Sequence, residues 1–393
     1  MNALREREFN LRALLILALG HMVTDIYQGA LPAILPFMKE RLSLSYSMAG
    51  IIMLASNFAS SVIQPLFGFA SDKGQKPLLL PAGCLIAGIG FSLLAVPLHY
   101  PVILLLVIVS GLGVAAFHPE GFKTAHYFTG ERAAVGMSVF SVGGNLGFAL
   151  GPIISLSIIA YLGFSWLPLM FTLALVFIWA LSFLWKGLLV SNTARTAAPQ
   201  ETKVQGRPVS FSLIVLIGTV IVRSWIHAGL TSFIPFYYID YLKGDPVYAG
   251  KLVSFFLLGG VLGTVLGAPF ADRWGHKRYL VLSMLCSSLI LPLMFVMKGF
   301  MLLVTLGSFG MVLISTFTVT MVMAQRMLPG NLGVASGLMV GFAIGTGGIG
   351  VTILGVLADH FSVPFALKSI AVLPVLGFFL SLVVKYPPKS SLP

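Results

Sequence analysis

Three groups of ionisable side chains sit inside long apolar runs of this chain, where each is costly to keep. In residues 20–37, GHMVTDIYQGALPAILPF, His21, Asp25 and Gln28 fall at i, i+4 and i+7, which puts them on one helix face. A carboxyl held out of water can load a proton on one side of a barrier and release it on the other, so Asp25 is the first proton-coupling candidate. His21, one turn away, titrates near neutrality and either shares that proton or tunes it. In FHPEGFKTAH, residues 117–126, His118 and Glu120 flank Pro119, whose missing N–H disturbs the helix and can admit water. Both join the proton-coupling candidates; the plainer reading of Glu120 is an ion pair with Lys123. The third group is Arg223, Trp225 and His227. A guanidinium forks onto phosphate or carboxylate and stacks on aromatic rings, so Arg223 either binds an anionic substrate or neutralises Asp25. Where both hold in turn, substrate and proton compete for one charge balance. Gln28, Asn57, Gln64 and Asn145 are further substrate-binding candidates, although groups such as Asn57, Gln64 and Asn145 more often cross-link helices; Tyr27 is another, its plainer reading being a lipid-facing or interfacial aromatic.

Elements of membrane-spanning length must position these groups. The chain is 58% hydrophobic and only 9% charged over 393 residues, whereas soluble domains carry about 25% charged residues. A soluble protein of this length has too little interior for so much apolar surface. The net charge of +12 does not indicate nucleic acid, because the bases lie in short segments between apolar runs and form no basic face. Cys84 and Cys286 read as small buried hydrophobes with no metal-ligand spacing. The first apolar run is too long for a signal-peptide core and is expected to remain as a span.

Runs long enough to cross about 30 Å of hydrocarbon give twelve expected spans: 12–38, 47–71, 77–97, 101–124, 133–161, 165–186, 209–239, 247–271, 278–297, 300–325, 331–358 and 364–385. Ser191 to Arg207 is polar and lacks periodicity, so 191–208 reads as a linker between two six-helix bundles, 1–190 and 209–393. With the N-terminus inside, the inner loops hold most of the Lys and Arg and the outer ones only Lys39, Arg41, Lys243, Lys251, Lys298 and Lys368. Both termini are therefore expected in the cytoplasm. GFASDKGQKP after span 2 and GAPFADRWGHKR after span 8 place Asp72 and Asp272 about half the chain apart, the mark of an internal duplication.

These loop sequences resemble the signature of the major facilitator superfamily, with Gly68, Asp72 and Lys73 in one copy and Asp272, Arg273, Gly275 and Lys277 in the other. Span 5 carries GGNLGFALGP, similar to the superfamily's antiporter signature, with Gly147 and Gly151 one turn apart and Pro152 permitting a bend. GHMVTDIYQGALPAILP, VIQPLFGFASD and AAFHPEG together resemble the fosmidomycin-resistance family of exporters. The resemblance implies an all-α fold of twelve transmembrane helices in two pseudo-symmetric bundles, and proton-driven efflux of a drug or small organic anion across the plasma membrane. Asp72, Lys73, Asp272 and Arg273 are expected to act as cytoplasmic gates, with Gly147, Gly151 and Pro152 serving the same movement.

The expected partners are a small-molecule substrate, protons and membrane lipid, with no nucleic acid, no cofactor and no metal, and the chain is expected to be a monomer. No P-loop, GxSxG or HExxH pattern occurs, so energy must come from a gradient. Two rivals remain: a proton-coupled importer of an organic acid or phosphorylated metabolite, and an intramembrane enzyme. The enzyme lacks a dyad, since Pro119 keeps His118 and Glu120 off one face. A channel is disfavoured by the internal duplication.

Overall fold

A computed structural model describes residues 9–72, 77–96, 99–130, 133–185, 211–328, 339 and 345–386. Every regular element among them is helical, as a chain buried in hydrocarbon requires: a helix satisfies its own N–H and C=O groups where no water can. The elements run α1 (Leu11–Leu42), α2 (Tyr46–Asn57), α3 (Gln64–Asp72), α4 (Leu79–Ser92), α5 (Tyr100–Tyr127), α6 (Ala133–Leu162) and α7 (Phe171–Ser182). They continue as α8 (Phe211–Pro235), α9 (Pro246–Trp274), α10 (His276–Ile290), α11 (Gly299–Ile314), α12 (Thr316–Met327), α13 (Gly347–His360), α14 (Val363–Ser369) and α15 (Val372–Val383).

Among the described residues, ten helical stretches are long and apolar enough to cross a membrane, and Leu79–Ala95 and Gly347–His360 are shorter apolar helices. Each of the twelve expected spans coincides with one of these. Most of the first half of expected span 331–358 lies outside the described residues, as do Lys73, the side chain of Asp72 and the linker 191–208. The irregularities inside spans were not expected. A π-helical turn, Phe58–Val62, separates α2 from α3, and a second one, Phe236–Tyr241, follows α8. The tight reversal after α6 is made by Gly163, whose φ of 94° suits a residue without a Cβ.

The described chain divides into two compact units, one of residues up to 31 with 58–185 and the other of residues 32–57 with those from 211 onward. In the first, α1 and α6 touch backbone to backbone. A Cβ at Gly147 would strike the Met22 carbonyl, and one at Gly151 would lie 2.5 Å from the Ile26 carbonyl oxygen. Small residues at this seam let dispersion and polar contacts act at close range, which is how helices associate where lipid is as apolar as leucine.

In the second unit, α2 packs on α13 in the same manner, with Gly50 against Thr352 and Gly355 against Tyr46. The end of this seam is polar. The Asp359 carboxylate accepts the N–H groups of Tyr46 (2.7 Å) and Ser47 (2.9 Å), capping α2 from a residue remote in sequence. Asp240, on the second π-turn, accepts the Tyr46 hydroxyl at 2.7 Å and meets Lys39 Nζ at 3.2 Å. Charged acceptors at a helix N-terminus are worth about 1 kcal/mol. Asp359→Ala should accordingly lower stability by about 1 kcal/mol, read as an earlier thermal transition of the detergent-solubilised protein. An unchanged transition would show that the cap carries no weight.

Candidate functional site

Asp25 lies on α1 and is buried, at 8% exposure, with His21 buried one turn before it. His21 Nε2 is 3.3 Å from Asp25 Oδ2. The other carboxylate oxygen, Oδ1, is 3.1 Å from Nε2 of His118, which reaches in from α5. Both imidazoles are tethered on their far side: His21 Nδ1 lies 2.9 Å from the Phe140 carbonyl oxygen, and His118 Nδ1 lies 2.8 Å from that of Val114. A carbonyl oxygen only accepts, so each Nδ1 carries the hydrogen and each Nε2 is the nitrogen that gains or loses a proton.

The proton count follows from this geometry. An unprotonated Nε2 beside a carboxylate sets lone pair against lone pair. One proton in the cluster relieves one of the two contacts and brings the net charge to zero. A second proton relieves both and leaves the cluster singly positive. The three donor atoms lie within 4.8 Å of one another, so a single cation would fit where the protons sit. Glu120 is fully buried on α5 but is not part of this group.

The second unit holds a buried charge of its own. Arg223 on α8 is 5% exposed. Its Nη1 donates to Thr316 Oγ1 at 3.3 Å and to Thr320 Oγ1 at 3.2 Å, both on α12, and its guanidinium lies 5.3 Å from the centre of the Phe317 ring. The two hydroxyls give their own hydrogens to backbone carbonyls, those of Leu313 and Thr316, and so are free to accept. None of these partners is anionic, so the guanidinium keeps its full attraction for an anion.

The remaining expected residues are dispersed. His227 shares Arg223's face, with its ring 5.6 Å from that of Phe256. Trp225 faces elsewhere and covers Gly350 of α13. Tyr27 donates to the Met170 carbonyl at 3.0 Å and packs by Phe91, away from Asp25. Gln28 donates to Ser60 on the first π-turn at 3.1 Å, a cross-link between helices. Asn57 is partly buried, its amide nitrogen facing Gly347. Gln64 opens α3 and is partly buried, and Asn145 is exposed on α6. Pro152 is buried within α6. Asp272 is exposed at the end of α9, 3.4 Å from His276, and the adjacent Arg273 is exposed too.

Sequence reasoning did not single out Phe140 or Gly144, which frame His21 from α6, nor Asp240 and Asp359. The signal for Gly144 was present in GGNLG but was masked by the one-turn spacing of Gly143, Gly147 and Gly151. Asp240 and Asp359 lie singly near loop ends and carry no local pattern.

A family model described as Major Facilitator Superfamily matches residues 17–339 and 216–393. An uncharacterized MFS-type transporter, YfnC of Bacillus subtilis (strain 168), is 36% identical over 376 residues, covering 93% of this chain and 90% of its own length. The fosmidomycin resistance protein of Escherichia coli (strain K12) is 33% identical over 368 residues, covering 92% and 90%. Among solved structures, the nucleoside transporter NupG superimposes with a TM-score of 0.76 at 13% identity, covering 95% of this chain and all (100%) of that one. A bacterial homologue of the human lysosomal transporter Spinster gives 0.72 at 13%, covering 96% and 98%. The structural likenesses carry the fold and the sequence matches carry the family: this chain belongs to the major facilitator superfamily.

Proposed function

We propose that this transporter exports a small organic anion, such as a fosmidomycin-like phosphonate, in exchange for protons across the plasma membrane, with both termini in the cytoplasm. The observation that carries the reading is Asp25 buried between two imidazoles whose Nδ1 atoms are both committed to backbone carbonyls. Such a cluster can pass between a neutral and a singly positive state without rebuilding its surroundings. A buried group able to change its charge with its tethers in place is what proton coupling needs, whereas a merely structural ion pair gains nothing from it.

Arg223 supplies the other leg. A guanidinium held by hydroxyls and an aromatic ring is positioned without being neutralised, and phosphonate or carboxylate completes it. Efflux is favoured over import by the likeness to the fosmidomycin resistance protein of Escherichia coli. In this reading residues 1–190 and 209–393 are the moving bundles, joined by the linker 191–208. Asp72 and Lys73, with Asp272 and Arg273, latch them on the cytoplasmic side. The working unit is a monomer in lipid that needs no cofactor or metal and carries out no enzymatic step.

Reconstituted into vesicles with an imposed pH gradient, Asp25→Asn should lose gradient-driven phosphonate transport by at least about tenfold, equivalent to about 1.4 kcal/mol. Proton-coupled exchange at the parental rate in that variant would remove Asp25 as the carrier. Arg223→Gln should weaken binding of anionic substrates by about 1.5–3 kcal/mol, on the order of 10- to 100-fold, with neutral compounds much less affected. Equal losses for anionic and neutral compounds in an equilibrium binding assay would rule out an anion site at Arg223.

A further inference from the structure

The α6 turn from Phe140 to Gly144 touches the His21–Asp25 pair at three points. The Phe140 carbonyl takes the His21 Nδ1 hydrogen at 2.9 Å. The Phe140 ring lies nearly flat on the imidazole, with centroids 4.3 Å apart and planes 20° apart. One turn later comes Gly144, where a Cβ would strike Cε1 and Nε2 of His21 and would lie 2.7 Å from Asp25 Oδ2.

The imidazole has no easy retreat from such a methyl group. Besides Phe140, the rings of Phe122 and His118 stand roughly perpendicular to it, with centroids 5.6 and 4.9 Å away. Asp25 cannot swing freely either, because its other oxygen faces His118. A side chain at position 144 must therefore part Nε2 from Oδ2 or pull Nδ1 off its carbonyl. The first weakens the ion pair; the second frees the ring to adopt the other tautomer. Among the described His, Cys, Asp and Glu side chains, those that meet Asp25 are His21 on α1 and His118 on α5. The α6 turn, FSVGG, brings none of its own.

We propose that Gly144 is a positioning residue for proton exchange, its missing side chain letting His21 Nε2 and Asp25 Oδ2 meet while Phe140 holds the ring in register. This rests on the role given to Asp25 above. Among the α6 glycines, Gly143, Gly147 and Gly151 abut α1 backbone and Gly136 abuts the side chains of Thr129 and Leu14, whereas Gly144 abuts the imidazole and carboxylate themselves.

The test is the pH dependence of phosphonate transport in vesicles, measured over about pH 5 to 8. Gly144→Ala should move the half-maximal pH by about one unit or more. The packing control is Gly136→Ala, also on α6, whose added methyl would meet the side chains of Thr129 and Leu14 and not an imidazole or a carboxylate. Its pH profile should stay parental even where less protein reaches the membrane. Phe140→Leu keeps the carbonyl, removes the stacked ring and should also shift the profile, so it decides the matter where Gly144→Ala fails to fold. A parental profile in an active Gly144→Ala, or in Phe140→Leu standing in for it, overturns the proposal. Asp25→Asn separates the two levels: if it abolishes coupling while Gly144→Ala keeps the parental profile, only the positioning role falls. If Asp25→Asn remains coupled, the proton-carrier role falls with it.

Discussion

An ionised group in the middle of a membrane span costs several kcal/mol unless its surroundings answer it, and the two units of this chain answer it differently. Around Asp25 the answer is two imidazoles, groups that themselves gain and lose protons. Around Arg223 it is two hydroxyls and an aromatic ring, groups with no charge to change. Of these two buried charges, Asp25 therefore sits among groups that can titrate and Arg223 among groups that cannot. In the proposed antiport the first would be the switch and the second the anchor.

The helices are arranged so that each answer arrives from a neighbouring element. His118 reaches Asp25 because α5 stays helical through Pro119 and turns that imidazole inward. α6 approaches α1 closely enough for its Phe140 carbonyl to take the His21 hydrogen, and the glycines at the seam make that approach possible. Packing and chemistry are thus not separable on α6: the same absence of side chains that brings the helices together leaves room for the titrating atoms. In the second unit the glycine seam between α2 and α13 ends in the carboxylates of Asp240 and Asp359, which gather the end of α1 and the start of α2.

How far the chain was legible varied with the range of the interaction. The twelve spans were readable because hydropathy over about 20 residues is a local property. The His21–Asp25 pair was readable because i, i+4 spacing fixes a shared face before any tertiary contact forms. His118 was read as a companion of Glu120, its neighbour in sequence, yet its partner lies on another helix. Tyr27 and Gln28 share α1 with Asp25, and helical spacing alone could not say that Met170 and Ser60 would claim them. Trp225 drew attention as a neighbour of Arg223, but two residues along a helix turn a side chain to the other side, and there Gly350 receives it. The π-turns at 58–62 and 236–241 have no composition of their own and were invisible for that reason.

The exchange of protons for substrate is tested most directly by loading vesicles with a phosphonate, imposing no pH gradient, and following luminal pH as the substrate leaves. Antiport through the Asp25 cluster predicts that the lumen acidifies as phosphonate flows out, and that this signal is lost in Asp25→Asn. A lumen that stays constant or turns alkaline while labelled phosphonate departs would contradict the account.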